Sequence, residues 1–108
     1  MTRLPPALAA SATPRILELL GDPPARVLEV GFAGIHAVPL RLAGFEVVVV
    51  EADPVFRERA RERVGAVLDV VPDEPFDAVI APDGVSVPEA PTVIRVGQDG
   101  STWRSTST

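Results

Sequence analysis

The chain contains no cysteine, lysine, asparagine or tyrosine, and only one histidine and one tryptophan among its 108 residues. Without cysteine there is no disulfide framework, and a lone histidine cannot anchor a Cys/His zinc site, so no metal centre is expected. No apolar run approaches the roughly 18 residues of a membrane span, and Met1 to Ala12 lacks a long apolar core. A cytoplasmic protein without membrane contact is the expectation. The ten basic residues are all arginine and are outnumbered by 15 acids. A net charge of -5 works against a nonspecific grip on nucleic acid, which needs a basic surface to release counterions. What is abundant is aliphatic: hydrophobic residues make up 46% of the chain, enough for the core of one domain with room for one site.

Residues 1–12 read as a Pro- and Ala-rich arm. Thr13 and Pro14 read as the N-cap and first position of a helix ending at Leu20, with Gly21 as its stop. Arg26–Val30 and Glu46–Val50 are almost continuously apolar, the pattern of strands buried on both faces of a parallel sheet. Between them lies an amphipathic segment, Gly34–Ala43, closed by Gly44. Pro39 inside it removes a backbone donor, so the helix is either kinked or begins near Pro39, leaving residues 31–38 as a loop. Asp53-Pro54 opens another helix that runs to Val64 before Gly65, with Phe56, Ala60 and Val64 as its buried stripe. Its arginines, interleaved with Glu58 and Glu62, read as a solvated, ion-paired face rather than a phosphate patch.

Ala66–Val70 reads as a third strand and Phe76–Ile80 as a fourth. The seven residues between Asp69 and Asp77 must then cross two strands. That span is about 22 Å against a reach of about 23 Å, which leaves no room for a helix. Thr92–Val96 and Ser101–Arg104 flank Gln98-Asp99-Gly100, a hairpin signal, and Ser105–Thr108 reads as a frayed polar tail.

Val27-Leu28-Glu29-Val30-Gly31, Val50-Glu51-Ala52-Asp53, Asp69 and Phe76-Asp77-Ala78-Val79 resemble, in order and spacing over Arg26 to Pro82, the class I S-adenosylmethionine-dependent methyltransferases. The resemblance implies an α/β, Rossmann-like fold: a mostly parallel twisted sheet of five to six strands, flanking helices and a C-terminal antiparallel hairpin. It implies S-adenosylmethionine as cofactor, with Glu29 and Gly31 beside its methionine part, Glu51 on the ribose hydroxyls and Asp69 facing the adenine. The ribose role suits Glu51 chemically, since a carboxylate accepts both hydrogen bonds of a cis-diol. The three alternate glycines of the family pattern fall on Gly31, Ala33 and Ile35, with an additional Gly34, so Ala33 stands where the second glycine would meet the cofactor. Asp53 reads as a helix cap. The acceptor side of the family falls on Ala81 to Gly84, His36 and Trp103; here Asp83-Gly84 reads as a turn, His36 as structural and Trp103 as a packing residue.

Two other functions compete. A noncatalytic Rossmann-like module would serve as a subunit or regulatory partner. The missing crossover helices are expected to leave apolar surface near the fourth and fifth strands, which favours a homodimer or a heteromeric protein partner. An NAD(P)-binding domain is the weaker alternative, because G-x-G-x-x-G is not present after the first strand.

Overall fold

Val27, Leu28 and Val30, with the four valines that follow Glu46, form the centre of a five-stranded sheet in the computed structural model, which describes residues 6–23 and 25–105. β1 (Arg26–Val30) and β2 (Glu46–Val50) pair in parallel, from Arg26 opposite Glu46 to Val30 opposite Val50. β3 (Ala78–Pro82) lies on the other side of β1, and β4 (Thr92–Val96) follows it in parallel. β5 (Thr102–Ser105) closes the edge antiparallel to β4, giving the order β2-β1-β3-β4-β5. The architecture is therefore α/β with a mostly parallel sheet. The Asp99-Gly100 turn joins β4 to β5 as its residues predict: Gly97 N–H donates to Ser101 O at 2.8 Å and the Asp99 carboxylate accepts Ser101 N–H at 3.0 Å. Ser105 belongs to β5, so the frayed tail does not begin there, and its remaining positions, 106–108, lie outside the described residues.

Among the described residues four helices accompany the sheet. The Pro/Ala-rich arm is not extended but helical over α1 (Pro6–Ser11). α2 (Thr13–Leu20) starts one residue earlier than expected and without a side-chain cap: its N-cap is Ala12, whose side chain has no acceptor, while Thr13 is the first helical residue and its hydroxyl meets the His36 ring at 2.7 Å. α3 (Ala37–Leu42) is the short form that Pro39 allows; the proline sits in its first turn, where its missing N–H has no intrahelical partner to lose. α4 (Pro54–Val64) is capped by Asp53, whose Oδ1 accepts Val55 N–H at 2.9 Å and Phe56 N–H at 3.2 Å.

The expected third strand, Ala66–Val70, is a single bridge. Leu68 N–H donates to Val49 O and Leu68 O accepts Glu51 N–H, both at 2.9 Å. Beyond Leu68 the chain leaves the edge to cross beneath β2 and β1, so Val70 and Val71 stay exposed. The crossing contains no helix. The following strand is Ala78–Pro82 rather than Phe76–Ile80, because Asp77 is tied to the start of β1: its N–H donates to Arg26 O and its Oδ2 accepts Arg26 N–H.

Alternation along the strands separates two cores. Val27, Val47, Val49, Ala78, Ile80, Ile94 and Val96 face Ala9, Ile16, Ala37, Leu40 and Ala60, which places all four helices on one side of the sheet. Leu28, Val50, Val79 and Val93 face the other side, covered by Phe76, Val87 and Ala90 from the long connections. The apolar surface expected to be bare near the fourth and fifth strands is thus buried beneath loops: Val79 is 0% and Val93 is 5% exposed. Among the described residues the exposed large aliphatics lie elsewhere, on Val38 and Leu42 of α3, on Val55 of α4, and at Leu68, Val70 and Val71.

Candidate functional site

β1 releases the chain into a turn, residues 31–36, that lies against α4. Gly31 and Gly34 have φ of +79° and +76°, angles open to glycine at little cost. At Gly34 a second constraint applies, since a Cβ there would lie 3.2 Å from Cγ1 of Val64. Ala33, at φ +52°, occupies the left-handed region without glycine's freedom, at a cost of about 1 to 2 kcal/mol. Two hydrogen bonds hold it there: Ala33 N–H donates to Glu51 Oε1 at 3.2 Å, and Arg63 Nη1 donates to Ala33 O at 2.9 Å. Ala33→Gly is therefore expected to stabilise the fold by about 0.5 to 1 kcal/mol, the relieved strain outweighing the added freedom of the unfolded chain. Urea unfolding measures this; a destabilised variant would contradict the strain.

The three acids of the methyltransferase-like pattern are placed very differently. Glu29 is fully buried beneath the turn, with Oε2 accepting His36 N–H at 2.8 Å and Oε1 without a hydrogen-bond partner. Burial pushes its carboxyl up to about 7, against the backbone N–H groups of His36, Gly34 and Ala37 and the charge of Arg41, which pull it down. Glu51, 2% exposed, braces the turn: besides Ala33, its Oε2 accepts Asp53 N–H at 3.2 Å. Asp69 is exposed, next to the Leu68 bridge at the sheet edge.

A cavity of about 220 Å³ opens at the carboxyl ends of β1, β3 and β4. Gly31, Phe32, Ala33 and Ile35 of the turn border it, as do Pro82, Asp83 and Val85 after β3 and Val96, Gly97 and Gln98 after β4. Pro6 and Ala9 of α1 and Phe56, Arg59 and Arg63 of α4 also border it. Of the five residues expected at a cofactor, Gly31 and Ala33 reach this cavity, whereas Glu29, Glu51 and Asp69 do not line it. Ile35, though it replaces a glycine of the pattern, both borders the cavity and packs on the helix-side core.

His36 belongs to the scaffold. It is 0% exposed, meets Phe32 edge-on at 4.8 Å, and is held by burial at a pKa of about 4, hence neutral at pH 7. Trp103 lies on the edge strand β5, outside the cavity lining. Asp83 does line the cavity, while its backbone N–H continues the ladder to Val96 O at 3.0 Å.

The cavity-lining side chains that the sequence pattern does not single out are Arg59 and Arg63. Arg59, Arg61 and Arg63 are exposed together with Glu58 and Glu62, and Arg61 pairs with Glu58, as expected of a solvated helix face; Arg57 donates to the carbonyls of Glu51 and Ala52, and Arg59 and Arg63 also border the cavity. Their spacing of four, in step with Phe56 and Ala60, is the signal that marks a common face. Among the described residues no group of three or more His, Cys, Asp or Glu side chains is placed to hold a metal, and no helix is long and apolar enough to cross a membrane. In sequence, the chain matches no protein-family model and no curated protein.

Proposed function

We propose that the chain is a Rossmann-like cytoplasmic domain related to the S-adenosylmethionine-dependent methyltransferases, and that its cavity receives S-adenosylmethionine or a related nucleoside. The observation that carries this reading is where the cavity lies. β2 and β3 flank β1 on opposite sides, and the cavity opens at the carboxyl ends beside that reversal of strand order, where open α/β sheets take their ligands. The left-handed backbone at Gly31 and Ala33 supports the reading, because it brings main chain close to a bound molecule.

The residues fit that cofactor in part. Gly31 and Ala33 border the cavity, but Glu51 accepts hydrogen bonds from the chain's own Ala33 and Asp53 N–H groups, so a ribose diol would have to displace them. The volume of about 220 Å³ lies below the roughly 300 to 1,000 Å³ of small-molecule sites, so a whole nucleoside cofactor requires the turn to yield. The engaged carboxylate of Glu51 favours a second reading, a noncatalytic module that serves as a subunit or regulatory partner. Calorimetric titration with S-adenosylmethionine and S-adenosylhomocysteine decides between them. Saturable heat for either ligand is the expected result; none up to millimolar concentration would reject cofactor binding and leave the noncatalytic module.

A further inference from the structure

The cavity has a charged side. Among the described residues that line it, the ionisable groups besides Asp83 are Arg59 and Arg63, one turn apart on α4, set among Phe32, Ile35, Phe56 and Val96. Arginines on a helix surface are ordinarily solvated or paired with neighbouring acids, as Arg61 is with Glu58. Arg59 and Arg63 take no part in an ion pair among the described residues. Both are exposed, and each makes one contact that restrains it. The Arg59 guanidinium lies over the Phe56 ring, 5.5 Å from its centre, and Arg63 Nη1 donates to Ala33 O at 2.9 Å, leaving its other N–H donors for a second acceptor. A guanidinium already restrained beside an apolar cavity loses less freedom on meeting an oxyanion, and its planar fork matches a carboxylate.

We infer that Arg59 and Arg63 form a carboxylate subsite, so that the cavity takes a small molecule with an apolar body and a carboxylate. The inference rests on the cavity being a ligand site. It does not require the ligand to be a nucleoside. The carboxylate has two sources, the amino-acid end of an S-adenosylmethionine-type ligand or a separate acidic molecule, and two pairs of probes separate them: 2-naphthoate against 2-naphthamide, and S-adenosylhomocysteine against 5′-methylthioadenosine, which lacks the carboxylate.

Binding is measured by calorimetry and by amide chemical shifts, on the native chain and on Arg59→Gln. Arg59 makes no hydrogen bond to the backbone among the described residues, and its replacement leaves the turn anchored by Arg63. The charged member of at least one pair is expected to bind at least tenfold more tightly than its uncharged counterpart, to shift the amides of Ala33 and Gln98, and to lose about tenfold in affinity in Arg59→Gln. The pair that responds identifies the source. If charged and uncharged members bind equally, or if Arg59→Gln leaves every affinity unchanged, the carboxylate subsite is overturned while the cavity remains a ligand site. If no probe binds, both the subsite and the ligand reading of the cavity fall.

Discussion

Replacing Glu29 by glutamine is expected to stabilise the protein by about 3 kcal/mol at pH 8 and to change it little below about pH 4.5. The carboxyl moves from an ordinary value of 4.5 up to about 7 in the folded chain, chiefly through burial. Between those values the native state keeps a proton that the unfolded state has released, so stability falls as pH rises through the window. Glutamine keeps an acceptor for His36 N–H without the charge. His36 works in the opposite sense, since burial lowers it from 6.5 to about 4, so the unfolded chain binds the extra proton and stability falls as pH drops through that range. The two slopes oppose each other where the windows overlap. In Glu29→Gln the histidine slope stands alone, with stability rising by about 1.4 kcal/mol per pH unit from roughly pH 4.5 to 6.5 relative to the native chain. Urea unfolding of both proteins between pH 4 and 8 measures the difference; parallel curves would contradict a neutral buried Glu29.

Glu51→Ala is expected to cost about 3 kcal/mol, whereas Asp69→Ala should stay within about 0.5 kcal/mol of the native chain. The contrast follows from what the two carboxylates touch. Glu51 accepts Ala33 N–H from the turn and Asp53 N–H from the start of α4, and its removal leaves a buried donor at Ala33 unsatisfied. It also removes one of the two bonds that hold Ala33 in the left-handed region. Asp69 is exposed beside a one-residue bridge and offers little to lose. Guanidinium unfolding of the two variants checks the prediction. Equal stabilities would mean that the Glu51 carboxylate does not brace the turn and is available to a ligand.

Local chemistry made much of the fold legible. The Asp53-Pro54 start of α4, the shortened helix around Pro39 and the Asp99-Gly100 hairpin each depend on residues close together in the chain. The central pair β1 and β2 is legible because its valine runs fit strands buried on both faces. What escaped depends on distant partners. Ala66–Val70 has the composition of a strand, but the taut crossing that follows pulls it off β2 after Leu68. Thr13 has the chemistry of a cap, and only the fold brings it within 2.7 Å of the His36 ring.

The site was legible in the same uneven way. Gly31 and Ala33, which the resemblance singles out after the first strand, border the cavity. Whether an acid at a strand end meets a ligand or the chain's own N–H groups is a matter of tertiary geometry, and Glu51 meets the latter. The arginines of α4 alternate with acids in sequence, and such a pattern gives the composition of a helix surface without saying which members face segments 31–35, 82–85 and 96–98.

The central claim is that the cavity at the carboxyl ends of β1, β3 and β4 is a ligand site. The most direct test is a backbone amide map of the chain recorded during titration with S-adenosylhomocysteine. Saturable shifts at Gly31, Phe32, Ala33 and Gln98, with Val70 and Val71 unmoved, are the predicted result. An unchanged map at millimolar ligand, or shifts confined to residues outside the cavity, would contradict it.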